Sequence, residues 1–379
     1  MSRPLRILVV AGEVSGDMHA AGLVRALKQQ RPDLTCFGIG GDQLRATGME
    51  IVHDVRDMAS IGFTEILPKL PFFIRTFNGM LDLARERKPD AVILVDYPGF
   101  NLRFAERAHK MGLKVIYYIC PQVWAWHQSR IPKMAKIIDR LLVIFPFEPK
   151  VFAGTALKVD YVGHPLVDET RLALAMPVPA LPWHGRPRIA VLPGSRQQTI
   201  ARMLPVFMEA GTILQKYQPE ASFMIPAPSA EIAATVSRFL EKLGQGRSRW
   251  EVVTNQARQV MRTADAAMVS SGTATLETAL MGCPMIIAYK MAPLSFFFVK
   301  RAVTVKHAGM VNIVAGRTLC PEFIQDAATP SAIADAINLI LTNEKERGRM
   351  ISGFGEVAAT LGEGGSQERA AELVLKELA

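Results

Sequence analysis

The sequence predicts a two-domain α/β protein in which each half is built on an open sheet of parallel strands. Three observations carry that expectation. Short aliphatic runs alternate with amphipathic stretches through the first half, a proline-rich connector follows, and the same alternation then restarts. Strands separated by helix-length amphipathic segments pair in parallel through crossover helices.

In the first half, "LRILVV", "LTCFGIG", "AVILVD", "KVIYYI", "RLLVIF" and "VDYVG" read as buried strands. Segments such as "GDMHAAGLVRALKQQ" and "NLRFAERAHKMG" between them read as helices. Four prolines between Pro177 and Pro187 make a stiff connector. Beyond it "RIAVLPG", "ASFMIPAP", "WEVVT", "DAAMVSSG" and "PMIIAYK" are strands again. The expected division is an N-terminal Rossmann-like domain over 1–174, a second over 188–352, and a helical tail over 353–379 that returns to the first. Two such domains facing each other would enclose a cleft, with ligands at the carboxyl ends of both sheets.

The totals agree with this layout. At 379 residues the chain exceeds one compact core, and 49% hydrophobic with 21% charged residues excludes a disordered chain. The net charge of +9 suits anionic partners: nucleic acid, anionic lipid or phosphorylated small molecules. No basic run or nucleic-acid-binding motif is present, so nucleic acid ranks last. The four cysteines are scattered without a CxxC pair, as in a cytosolic protein with reduced thiols. The first apolar run is too short for a signal-peptide core. Ala264–Tyr289 lacks Lys and Arg, but its Asp265, Glu277 and glycine turns fit strand, turn and helix rather than a membrane span.

The first strand runs into "AGEVSGD". Small residues there let backbone amides approach a ligand at a helix start. The pattern is not GxGxxG, and the acidic residue that a dinucleotide fold expects after its second strand is not evident, so a nicotinamide cofactor is disfavoured. Glu13, Ser15 and Asp17, around Gly16, would accept hydrogen bonds from sugar hydroxyls; the alternative is helix capping by Ser15 or Asp17. His19, one turn into the helix, faces either the cleft or the core. Asp96 ends the strand "AVILVD" beside a Pro-Gly turn, where partial burial would suit a general base; the alternative is a turn cap.

In the second half, Gly194-Ser195-Arg196 join a strand to a helix, so free amides and a guanidinium converge as a diphosphate requires. Ser271-Gly272-Thr273 repeat the device, with Glu277 one turn in to take ribose hydroxyls. No DxD pair, HExxH or His/Cys cluster appears, so neither a catalytic metal nor another cofactor is expected. Trp124 and Trp126 in "CPQVWAWHQSR" either stack on a sugar, line an acyl groove or pin the loop to the core. Asn312 is a polar residue among apolar ones that would reach the cleft.

Together, "GEVSGD", "DYPGFN", "PQVWAW", "VGHP", "LPGSR", "SGTATLE" and "NIVAGR", in this order and across nearly the whole chain, resemble the lipid-A-disaccharide synthase family. The resemblance implies a GT-B glycosyltransferase working without metal in lipid A biosynthesis. It would join UDP-2,3-diacylglucosamine to 2,3-diacylglucosamine 1-phosphate (lipid X) through a β-1,6 linkage, with inversion and release of UDP. Carried over, Asp96 is the general base, with His19 next in line. Arg196 and its turn hold the diphosphate, while Glu277 and the Ser271–Thr273 turn hold the uridine ribose and phosphate. Asn312 matches a polar active-site position, and Glu13–Asp17 with His19 serve the acceptor. His127 departs from the family pattern, standing where an arginine is expected. The resemblance also implies peripheral attachment to the cytoplasmic face of the inner membrane and, for some members, a homodimer that exchanges C-terminal segments. Two rival readings are a UDP-N-acetylglucosamine 2-epimerase-like enzyme and a non-catalytic binding protein for lipid-linked sugars.

The apolar stretch Ile61–Phe77 fits a lipid substrate. A helix starting at Pro71 would put Phe73, Phe77, Met80, Leu81 and Ala84 on a core stripe. Phe63, Ile66, Leu67, Leu70 and Phe72 would then meet the membrane interface beside Lys69 and Arg75.

Overall fold

The structure, a computed structural model, describes residues 4–59, 66–178, 180–293, 296–297, 301 and 303–379. The chain divides into two compact units, Met1–Pro165 with Glu363–Ala379, and Leu166–Gly362. The division precedes the helix Pro165–Ala175, so that helix lies almost wholly in the second unit instead of closing the first. The tail divides too: the helix Glu344–Thr360 stays with the second unit, and only Ser366–Leu378 joins the first.

The first unit holds seven parallel strands: β1 (Arg6–Ala11), β2 (Thr35–Gly40), β3 (Glu50–Asp54), β4 (Ala91–Val95), β5 (Lys114–Tyr118), β6 (Arg140–Val143) and β7 (Lys158–Tyr161). Their order is β3-β2-β1-β4-β5-β6-β7. All five residues of β4 are buried, as expected where helices cover both faces of a parallel sheet. The second unit repeats the plan with β8 (Arg188–Leu192), β9 (Ser222–Ala227), β10 (Trp250–Thr254), β11 (Ala266–Ser270), β12 (Met285–Tyr289) and β13 (Glu322–Ile324), in the order β10-β9-β8-β11-β12-β13. In each sheet the order reverses once, between β1 and β4 and between β8 and β11. Such switch points leave a crevice beyond the carboxyl ends of the strands.

The helix expected to start at Pro71 runs from Ile66 to Arg87 with Pro71 inside it. Pro68 falls in the first turn, where amides have no intrahelical acceptor, and Pro71 removes a single further bond. Burial of Met80, Leu81 and Ala84, with Phe73 and Phe77 packed on the same core, offsets that loss. Of the residues expected at the membrane, Phe63 lies outside the described residues, and Ile66 and Leu67 are described only as helical backbone. Leu70 is 45% and Ile74 52% exposed. Phe72 instead packs against the core, edge-on to Phe73 at 5.7 Å between ring centres.

The helix Ser366–Leu378 packs on Val14–Gln30 within the first unit. Near its end Glu377, 5% exposed, meets Lys114, Arg140 and Lys158 at 3.3, 3.1 and 3.0 Å. These three cations begin β5, β6 and β7, so one carboxylate ties the helix to the amino edge of the sheet.

Candidate active site

In the first unit the loops after β1 and β4 flank the switch point. Asp96 and Tyr97 follow β4 with φ of 46° and 49°, a left-handed conformation unusual for two successive residues with side chains. Two buried donors hold it. Asn101 Nδ2 reaches the carbonyls of Val95 at 3.1 Å and Asp96 at 2.7 Å, and Tyr117 Oη donates to the Asp96 carbonyl at 2.5 Å. Pro98 then opens the helix Pro98–Lys110. The Tyr97 ring lies over Gly12, where a Cβ would sit 2.2 Å from Tyr97 Cδ1. Backbone strain held by its surroundings in this way marks functional turns. Asp96 is partly buried and follows Val95, which pairs with Ala11 at the end of β1, so the turn after β4 starts next to the turn after β1.

Asp17 does not face that crevice. It is 3% exposed, and its carboxylate accepts from the amides of Gly41, Gln43 and Leu44 at 2.7, 3.0 and 3.1 Å. It therefore caps the short helix Asp42–Arg45, not its own helix, and is withdrawn from solvent. Gly16 is buried as well.

Trp124 resolves toward its structural alternative. It is buried, donates Nε1 to Glu148 Oε1 at 3.0 Å, and stands edge-on to Phe147. Trp126 is 42% exposed. Glu148 was not foreseen, although an acid set among phenylalanines in "FPFEP" is a readable sign of a buried carboxyl. It also accepts from Ile144 N and Phe145 N, yet burial pushes it up to about 7. Burial, aided by nearby His19, depresses His164 to about 3, so its imidazole is neutral at physiological pH.

In the second unit both foreseen turns flank the switch point. After β8, Gly194 adopts φ 110°, and Arg196 starts the helix Gln197–Tyr217. A Cβ at Gly194 would lie 2.8 Å from Thr199 Cγ2 and 3.9 Å from Ser270 Oγ, which brings the two turns side by side. After β11, Ser271 and Gly272 lead into the helix Thr273–Leu280. Ser195 and Arg196 are exposed. The Ser270 hydroxyl is buried without a hydrogen-bond partner among the described residues, and buried polar groups are nearly always satisfied. Two helix N-termini and an unsatisfied hydroxyl at one crevice suit an anion.

Glu277 lies behind this turn, its Oε1 2.8 Å from Arg258 Nε; Arg258 also pairs with Glu169. Burial raises Glu277 against the pull of that guanidinium. Arg258 was missed because its partners are distant in sequence. Asn312 is a correction: fully buried, it donates to Cys320 O and Glu322 Oε1 and accepts from Leu319 N and Cys320 N. Its amide is saturated inside the protein and does not reach a crevice. Among the described residues no cluster of three or more His, Cys, Asp or Glu side chains is placed to hold a metal ion.

The family model described as Lipid-A-disaccharide synthetase matches residues 7–376. The chain belongs to the lipid-A-disaccharide synthase family. It is 39% identical to the lipid-A-disaccharide synthase of Myxococcus xanthus, over 100% of this chain and 99% of that protein. Identity to the Trichlorobacter lovleyi enzyme is also 39%, over 99% and 98%. The chain is thus a glycosyltransferase of lipid A biosynthesis with a GT-B-type fold. Solved structures with the same fold include the UDP-GlcNAc 2-epimerase of Neisseria meningitidis bound to UDP-GlcNAc, at a TM-score of 0.65, 12% identity and 99% coverage of both chains. The calicheamicin glycosyltransferase CalG4 matches at a TM-score of 0.59 and 16% identity, over 100% of this chain and 99% of that one. These likenesses concern the fold alone, so the epimerase reading gains nothing beyond shared architecture.

Proposed function

We propose that the chain transfers the diacylglucosamine of UDP-2,3-diacylglucosamine to the 6-hydroxyl of lipid X. The carrying observation is that the family motifs fall at the switch points of both sheets: the Asp96 turn in one, the Gly194 and Ser271 turns in the other. Asp96 takes the proton of the acceptor hydroxyl, and the resulting oxygen attacks the anomeric carbon. The bond to UDP breaks with inversion, and its electron pair leaves on the β-phosphate. Arg196 and the helix starts at Gln197 and Thr273 meet the growing diphosphate charge. Glu277, oriented by Arg258, takes ribose hydroxyls. Glu13, Ser15, His19 and Trp126 serve the acceptor.

The decisive assay offers purified protein UDP-diacylglucosamine with and without lipid X. Acceptor-dependent UDP release supports the transferase; turnover of the UDP-sugar alone, or silence in both arms, overturns it.

Both substrates carry acyl chains, and we place the chain at the cytoplasmic face of the inner membrane. Among the described residues no helix is long and apolar enough to cross a membrane. Exposed Leu70 and Ile74 on the helix Ile66–Arg87, beside Arg75, support an interfacial contact. Replacing both with serine should weaken binding to anionic liposomes; unchanged binding refutes the contact. A homodimer belongs to the same reading, and light scattering on the full chain tests it.

A further inference from the structure

The carboxylate of Glu322, on β13, accepts three hydrogen bonds. Its Oε2 takes Ala308 N at 2.9 Å, while Oε1 takes Gly309 N at 2.9 Å and Asn312 Nδ2 at 2.7 Å. Asn312 is itself locked by the Leu319–Cys320 backbone. The backbone at Gly309 is pressed close: a Cβ there would meet Ile287 Cδ1 at 2.3 Å and Glu322 Oε1 at 3.3 Å. From this clamped segment the Ala308 carbonyl reaches back to accept the Ser271 hydroxyl at 2.7 Å. A continuous set of bonds therefore joins β13 to the turn that starts the helix Thr273–Leu280.

We propose that Glu322 and Asn312 are positioning residues for the nucleotide-sugar, acting through Ala308 and Ser271. Because the Ser271 hydrogen is committed to Ala308, that hydroxyl does not donate to a ligand; it fixes the turn. The amides of the first helical turn, which have no intrahelical acceptor, then face the diphosphate in a set direction. The same bonds give the buried Asn312 its function without contact with substrate. This inference rests on the reading of the Ser271–Thr273 turn as part of the nucleotide-sugar site.

The substitution E322Q separates the bonds of the clamp. Glutamine keeps one acceptor oxygen for Gly309 and Asn312 but turns an amide donor toward Ala308 N, which releases that segment. The test is a double-mutant cycle of E322Q and S271A on the full chain, read by the Kd for UDP, the KM for the UDP-sugar, kcat and Tm. Each single variant should weaken UDP binding and raise KM by about fivefold to tenfold with a smaller change in kcat, and the double should be no weaker than the worse single. The variant S271T, which keeps the hydroxyl, should restore affinity. Effects that multiply in the double overturn the clamp, as does E322Q with an unchanged Kd. If E322Q does not fold, the milder E322D enters the same cycle. Arg196→Ala distinguishes the two failures. If it weakens UDP binding while S271A and E322Q do not, the clamp alone is wrong; if none of the three weakens it, the nucleotide reading falls and the clamp with it.

Discussion

Trp124 Nε1 lies 3.0 Å from Glu148 Oε1, inside the first unit and away from solvent. This bond joins the loop after β5 to the loop after β6, so a buried acid fastens two loops at the carboxyl edge of the sheet. Burial raises the acid from 4.5 to about 7 against three donated hydrogen bonds.

The burial of that acid gives the first unit a pH dependence of definite sign. A carboxyl whose folded pKa is raised binds its proton more tightly folded than unfolded. Its contribution is fully present below about 4.5 and is lost as pH climbs to about 7. The loss is on the order of 3 kcal/mol. Glu148→Gln should remove it, so Tm of the variant relative to the parent should rise between pH 5 and pH 8. A constant difference would refute the assignment.

Two aspartates in the first unit should respond in opposite ways. Asp96→Asn should lower kcat by about 10²- to 10⁴-fold, with Tm and UDP affinity near those of the parent. Asp17→Asn leaves a single acceptor oxygen for three backbone amides. It should cost roughly 1–3 kcal/mol of stability and leave turnover per folded molecule intact. Denaturant melts paired with steady-state kinetics separate the two.

Glu277 depends on its guanidinium. Arg258→Ala would leave two carboxylates, Glu169 and Glu277, facing each other without their shared cation. The variant should lose on the order of 3 kcal/mol of stability and bind UDP several-fold more weakly. Calorimetric titration with UDP reads the second effect, and lowering the pH toward 5 should recover part of the first by protonating one acid.

Glu377 is the counterpart of Glu148. Burial works against it, but hydrogen bonds from Lys158, Arg140 and Lys114 hold its carboxyl below the ordinary value. Its stabilisation is present above the unfolded carboxylate pKa and lost as pH falls through the folded one. Glu377→Gln should therefore lower Tm at pH 7 and matter progressively less in acid, which a pH series of thermal melts would show.

Much of this was legible in the sequence because it is local. Aliphatic runs of strand length and glycine turns before amphipathic stretches place the sheets, the Asp96 turn and the two anion turns. What escaped depends on partners far along the chain. Nothing near Asp17 announces the amides of Gly41–Leu44 as its acceptors' donors, and nothing near Glu277 announces Arg258. Asn312 looked available because a lone amide among apolar residues reads alike whether it meets a ligand or saturates a backbone turn. The start of the helix at Ile66 was hidden by local rules: two prolines argue against a helix that tertiary burial of its far end sustains.

The helix Ser366–Leu378 completes a unit whose other residues lie at the opposite end of the chain. During synthesis the second unit, contiguous over 166–362, leaves the ribosome before residues 363–379 do. The first unit is thus begun first but finished last. Until Glu377 emerges, Lys114, Arg140 and Lys158 begin their strands without their common carboxylate. The usual order in which the leading part of a chain matures first is reversed, and a chain truncated after Gly362 would carry a complete second unit behind a first one lacking its last helix.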